Sequence, residues 1–172
     1  MSIAAIDADI EVTLHGGQWL GACAGAEAQV ATAARLALAR GGDGTALAGG
    51  ARVIVDITLT DDPELRVLNR TYRGKDVPTN VLAFPAADPA ESPPPGMPLL
   101  LGDVVLAFTT IRREAEAQDK PFADHLRHLV VHGVLHLLGY DHQTSTDAAV
   151  MEAREIAIMA ELGVPDPYRD PM

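Results

Sequence analysis

The chain of 172 residues contains a single cysteine, Cys23, so it cannot form an internal disulfide. This favours a reducing compartment. The first eleven residues carry three acidic side chains and no basic stretch, so we do not expect a signal peptide. We therefore expect a cytoplasmic protein.

Long hydrophobic runs are absent, and positive charge is scarce. A membrane helix needs about 18 apolar residues in succession, and charged or imidazole side chains interrupt the best candidate, at Arg127, His128, His132 and His136. The net charge of −11 opposes loose attraction to nucleic acid. It still allows a nucleic-acid substrate in one local basic cleft.

What is present indicates one globular domain spanning residues 1–172. Apolar residues make up 48% of the chain and charged residues 22%, which is ordinary for a globular protein. A chain of this length buries roughly two-thirds of its unfolded surface, enough for a core without disulfides. No internal repeat or long linker divides it.

Hydrophobic periodicity predicts an α/β domain of about four strands and five helices. The strands fall at 8–14, 51–60, 79–84 and 102–109, and residues 86–98, with five prolines, form a loop. The helices fall at 26–42, 63–72, 110–118 and 123–138, with a last one running to Gly163. Asp61 or Asp62 caps the second helix, and Ser145, Thr146 or Asp147 caps the last.

The segment HGVLHLLGYDH, residues 132–142, has the spacing of a metal site. His132 and His136 are four residues apart, so a helix presents both imidazoles on one face. Gly139 suits a helix C-cap and a turn that returns His142 to the same point. Three protein ligands with a fourth position open are typical of a catalytic zinc site.

The alternative is that these histidines are packed or solvent-facing. Five of the six histidines lie between residues 125 and 142, and 125, 128, 132 and 136 share one helical stripe, which favours the metal site. For His125 and His128 we expect a neighbouring role or exposure to solvent, and not ligation.

The same spacing occurs in the metzincin proteases, H-E-x-x-H-x-x-G-x-x-H. Their glutamate is the general base, and its place is taken here by Gly133. The histidine spacing is therefore compatible with a protease's metal site, but the glutamate that would act as its general base is missing.

The histidine motif resembles the signature of the YbeY endoribonucleases, which are rRNA maturation factors. The resemblance extends to LNRTYRGKDVPTNVLAFP (68–85), LLGDVVLA (100–107) and LGVPDPY (162–168). It covers roughly residues 52–168, and residues 1–50 contribute little. One departure is Ala83, where the family commonly has serine.

The resemblance implies a small mixed α/β sheet packed by helices, with a metal site similar to that of zinc proteases. It implies that His132, His136 and His142 hold one Zn²⁺ per chain and that Arg73 is needed for cleavage of single-stranded RNA. The implied role is maturation of the 16S rRNA 3′ end and ribosome quality control. The implied partners are rRNA precursors and small-subunit proteins or assembly factors, with neither DNA nor a membrane.

The residues themselves add a basic stripe at Arg66, Arg70 and Arg73. Pairing of Arg66 and Arg70 with the nearby Asp61, Asp62 and Glu64 is an equal alternative, whereas Arg73 at the helix end is placed to contact phosphate. Asp141 either orients an imidazole or caps the turn, and Glu152 and Glu155 are interpreted as a solvated face.

We therefore expect an RNA hydrolase whose general base is either zinc hydroxide or the RNA 2′-hydroxyl. The alternatives are a metalloprotease-like hydrolase, and a non-enzymatic ribosome-assembly factor that is stapled by zinc.

Overall fold

Four strands form one mixed sheet in the order β1-β2-β4-β3. The computed structural model describes residues 6–43 and 45–169. The predicted domain limits at residues 1 and 172, and the first five residues used against a leader, lie outside that part. The strands are β1 (Ala8–Leu14), β2 (Val53–Thr60), β3 (Val81–Pro85) and β4 (Leu99–Ala107).

The described part of the chain contains six α-helices and one 3₁₀ helix. The α-helices are α1 (Trp19–Ala22), α2 (Ala26–Gly41), α3 (Asp62–Arg73), α4 (Phe108–Ala117), α5 (Phe122–Leu137) and α6 (Ser145–Glu161). The 3₁₀ helix covers Ala46–Gly49. The predicted single α/β domain with four strands is confirmed. The sequence missed the single turn of α1 and the 3₁₀ helix, which are too short to show a period.

The sheet places its core on both faces. β1, β2 and β4 run parallel, and β3 pairs antiparallel with β4 at the edge. Alternate residues of β2, from Val53 to Leu59, are fully buried. The main core lies between the sheet and helices α2 and α5, with α6 packed on these two helices, and a smaller cluster lies under α3. No helix in the described ranges is long and apolar enough to cross a membrane.

Two predicted boundaries were wrong for reasons of capping. The strand predicted at 102–109 ends at Ala107 because Asp61 and Asp62 accept hydrogen bonds from the backbone N–H groups of Thr109 (2.8 Å) and Thr110 (3.0 Å). These contacts satisfy the first turn of α4. The cap of α6 is Thr144, whose hydroxyl accepts from the Asp147 N–H at 3.0 Å, one residue before the predicted candidates. Asp61 caps α3, as predicted.

Candidate metal centre

Helix α5 and the turn after it bring three histidines together. His132 and His136 lie on one face of α5, which ends at Leu137. Gly139 then takes a positive φ of 100°, and the Tyr140 N–H donates to the Leu135 carbonyl at 3.0 Å. The turn returns His142, so that one ring nitrogen from each histidine lies within 4.8 Å of the others. This is the convergence that the spacing predicts.

The donor set suits zinc. The Nε2 atoms of His132 and His136 lie 3.1 Å apart, and two nitrogens at about 2.0–2.1 Å from one tetrahedral zinc ion would lie about 3.3 Å apart. Three imidazoles favour zinc over magnesium or calcium, which prefer oxygen ligands. The three histidines could therefore hold a zinc ion.

A cavity of about 340 Å³ opens onto the three histidines. Besides them, it is lined by Arg73, Asn80, Val81, Ala83, Pro85 and Gly133. These lining residues, all in the described part of the chain, include no carboxylate. A Cβ on Gly133 would lie 2.7 Å from the Val104 Cγ1 atom, so helix α5 packs here too closely against β4 for a larger side chain. The structure thus explains why this position is glycine.

The three arginines of α3 differ in their surroundings. Helix α3 extends to Arg73, as the basic stripe requires. Arg66 donates to Asp76 at 2.9 and 3.2 Å, and Arg70 lies 3.9 Å from the same carboxylate. Pairing was the stated alternative for both, although the partner is Asp76. Arg73 lines the cavity, and the ion pairs found among the described residues do not include it.

The prediction that Glu155 belongs to a solvated face was wrong. The residue is fully buried. One carboxylate oxygen lies 2.5 Å from His132 Nδ1, and the other lies 3.1 Å from His128 Nε2 and accepts from the Tyr168 hydroxyl. A signal was available, because Glu155 falls on the apolar stripe of α6 formed by Met151, Ile158 and Met159. A carboxylate on such a stripe needs polar partners.

Burial and hydrogen bonding shift the pKa values around the site in a consistent way. Burial, with the nearby His132 and His142 rings, lowers the pKa of His136 to about 4, so it is neutral at pH 7. Burial alone would raise the pKa of Glu155, but hydrogen bonds from His128, His132 and Tyr168 outweigh it and lower the pKa to about 2. Burial and Glu155 raise the pKa of Tyr168. A neutral His136 imidazole, and an ionised Glu155 carboxylate beside His132, suit metal ligation.

His125 and Asp141 lie near the cluster, and their contacts show what each of them does. His125 is 5% exposed, and its Nε2 lies 2.9 Å from a Glu114 carboxylate oxygen, which also accepts from Asn80 at 2.9 Å. His125 is thus a buried neighbour and not part of the cluster. Asp141 accepts a hydrogen bond from the backbone N–H of His142 at 2.7 Å. It caps the turn, which was one of its two predicted roles.

Comparison with known proteins identifies a family. The family model described as endoribonuclease YbeY matches residues 27–163. A protein of that name from Rhodopseudomonas palustris is 58% identical over 120 residues, covering 70% of this chain and 62% of its own length. Another from Paramagnetospirillum magneticum is 48% identical over 161 residues, covering 93% of this chain and 95% of its own.

A solved structure supports the fold. The solution structure of a Thermotoga maritima protein aligns with a TM-score of 0.50 and 20% identity, covering 94% of this chain and 99% of its own. That similarity concerns the fold alone. The family model matches most of the chain, and the two relatives are 58% and 48% identical to it. The chain therefore belongs to the endoribonuclease YbeY family.

Proposed function

We propose that the protein is a zinc-dependent endoribonuclease that cleaves single-stranded RNA. One observation carries the proposal: a single cavity is lined by the three histidines and by Arg73. A nitrogen donor set beside an arginine with no ion pair among the described residues suits a phosphodiester, because the guanidinium fork binds phosphate oxygens in a bidentate manner. The name of the relatives, endoribonuclease YbeY, supports the same substrate.

In this proposal the chain's own residues bind and orient the phosphodiester. His132, His136 and His142 would hold the zinc ion. Zinc supplies Lewis acidity, which lowers the pKa of water and polarises a phosphoryl oxygen. Arg73 contacts the phosphate from the cavity wall and stabilises the negative charge that builds up in the transition state. No carboxylate lines the cavity in the described residues, so the attacking oxygen would be that of water or of the RNA 2′-hydroxyl. Its proton would pass to solvent, and the departing RNA oxygen would take one up.

We extend the proposal to the setting of the reaction. The sequence resemblance implies an rRNA precursor as substrate, processing of the 16S 3′ end, and contact with small-subunit proteins or assembly factors, and the name of the relatives supports RNA as the substrate. A cytoplasmic location agrees with this substrate and with Cys23, which is buried and free.

The protease alternative is weakened by packing at Gly133. Proteases with this histidine spacing carry glutamate there, and a side chain at Gly133 would overlap Val104. We expect no chelator-sensitive cleavage of casein. A zinc-stapled assembly factor without activity would need no arginine in the cavity.

The test is single-turnover cleavage of a short unstructured RNA by zinc-loaded protein. Cleavage should stop when zinc is chelated and return when zinc is restored. His136→Ala, purified in parallel, controls for contaminating nuclease, because a contaminant would copurify with both proteins. Equal cleavage by parent and His136→Ala would refute the proposal, as would zinc-dependent casein cleavage that is absent from the variant.

A further inference from the structure

We propose that Glu155 is a positioning residue of the metal centre, which holds His132 as an Nε2 ligand through its Nδ1–H group. This inference rests on the proposed function, because it assigns a purpose to a contact beside the proposed ligands. Glu155 itself does not line the cavity. It acts through His132.

The contact fixes one of two tautomers of His132. The two Glu155 oxygens are shared by His132, His128 and the Tyr168 hydroxyl, and carboxylate oxygens accept hydrogen bonds, so the Nδ1 atom of His132, 2.5 Å from Glu155, carries the proton. The other nitrogen, Nε2, then has a free lone pair, and it is this atom that lies 3.1 Å from His136 Nε2. The carboxylate therefore selects the tautomer that a metal ion requires.

The carboxylate is itself held from the opposite side. Its second oxygen lies 3.1 Å from His128 Nε2 and accepts from the Tyr168 hydroxyl. The His128 and Tyr168 rings meet edge to face, with centroids 5.3 Å apart. With three partners and no exposure to solvent, Glu155 has little freedom to rotate away from His132. A buried ionised group without such partners would be strongly unfavourable.

Three measurements, each starting from zinc-free protein, test this role. Long-range ¹H–¹⁵N NMR of the parent at neutral pH should show His132 as the Nδ1–H tautomer. Glu155→Gln keeps the shape and removes the charge, so it should weaken zinc affinity by about 10- to 100-fold. Zinc affinity is measured by competition with a chromophoric chelator, and the absorption of the cobalt-substituted protein reports ligand geometry.

Glu152→Gln is the matched control, since it makes the same chemical change one turn earlier on α6. It should leave zinc affinity within about twofold of the parent, while Glu155→Gln also alters the cobalt spectrum. A Glu155 with only a structural role would lower the melting temperature of the zinc-free protein and leave both readouts unchanged.

An Nε2–H tautomer for His132, or equal zinc affinity in parent and Glu155→Gln, would overturn the inference. If Glu155→Gln fails to fold, the tautomer in the parent decides. A parent that binds no zinc would instead refute the proposed function, and the two failures are thereby distinguishable.

Discussion

The two ends of helix α5 carry histidines on the same face but give their ring nitrogens different partners. At the N-terminal end, His125 and His128 each place Nε2 near a carboxylate, at 2.9 Å from Glu114 and 3.1 Å from Glu155. At the C-terminal end, His132 and His136 place Nε2 atoms 3.1 Å from each other. We call these the carboxylate end and the cluster end.

The difference shows that helical spacing alone does not choose metal ligands. All four histidines satisfy it, yet those at the carboxylate end already have an acidic partner for Nε2. Those at the cluster end meet other imidazoles, whose lone pairs repel unless a proton or a cation lies between them. His132 links the two ends, with Nδ1 on Glu155 and Nε2 in the cluster.

The most direct test of the difference between the two ends is to replace one histidine at each of them. His136→Ala should reduce zinc from about one ion per chain to nearly none, because two imidazoles are left to bind the metal. His125→Gln should keep full zinc content and change only stability. Metal analysis after gel filtration measures both. Full zinc content in His136→Ala, or loss of zinc in His125→Gln, would contradict the division.

The next largest effect is expected at Arg73, which faces the cluster end across the cavity. Arg73→Ala should slow single-turnover RNA cleavage by about a hundredfold to a thousandfold, or about 2.7–4 kcal/mol, as for loss of one preorganised donor. Arg73→Glu should be slower still, because it repels phosphate. Zinc content and melting temperature should remain those of the parent, because Arg73 is exposed and lies apart from the core.

Arg66→Ala is the matched control on the same helix. It breaks an exposed ion pair with Asp76, which contributes little to stability because water screens the two charges, and it should leave the cleavage rate within about threefold. Equal rates for parent and Arg73→Ala would remove Arg73 from the site.

The sequence predicted the arrangement of the cluster end more completely than that of the carboxylate end. The positions of His132, His136 and Gly139 lie within one helix and its cap, so local periodicity was enough to predict that the three histidines lie together. Glu155 comes from α6 and meets His132 across 23 positions of sequence. Such a contact depends on how two helices pack, and a solvated glutamate and a buried one differ only in the apolar stripe around them.

The same distinction between local patterns and long-range contacts applies to the prediction of the fold. Strands and helices with several periods were predicted within a few residues, including α3 and α5. The end of β4 was missed because Asp61 and Asp62 cap α4 from 48 positions away. Long-range capping leaves no local pattern.

The two ends should also lose stability in different pH windows in the zinc-free protein. His136 has a pKa of about 4 against an ordinary 6.5, so between these values only the unfolded chain binds the proton, and stability falls as pH falls from 6.5 to 4. Glu155 has a pKa of about 2 against 4.5, so its contribution is lost from pH 4.5 to 2. Each window is worth up to roughly 3–4 kcal/mol, at about 1.4 kcal/mol per pKa unit.

Urea unfolding at a series of pH values measures both windows. His136→Ala should remove the loss between pH 6.5 and 4 and retain the lower one, whereas Glu155→Gln should do the reverse. Parent-like pH dependence in either variant would show that the residue does not titrate as the structure indicates.

The smallest expected effect separates two kinds of carboxylate beside the cluster. Asp141 accepts from the backbone N–H of His142 and supports the turn, whereas Glu155 accepts from imidazoles. Asp141→Ala should therefore cost about 0.5–1.5 kcal/mol of stability, the usual contribution of one hydrogen bond. Asp141→Asn retains an acceptor oxygen and should recover most of that loss. Thermal melts with and without zinc measure the effect. If Asp141→Asn lowered zinc affinity as much as Glu155→Gln does, Asp141 would act through its charge on the cluster and not through the turn.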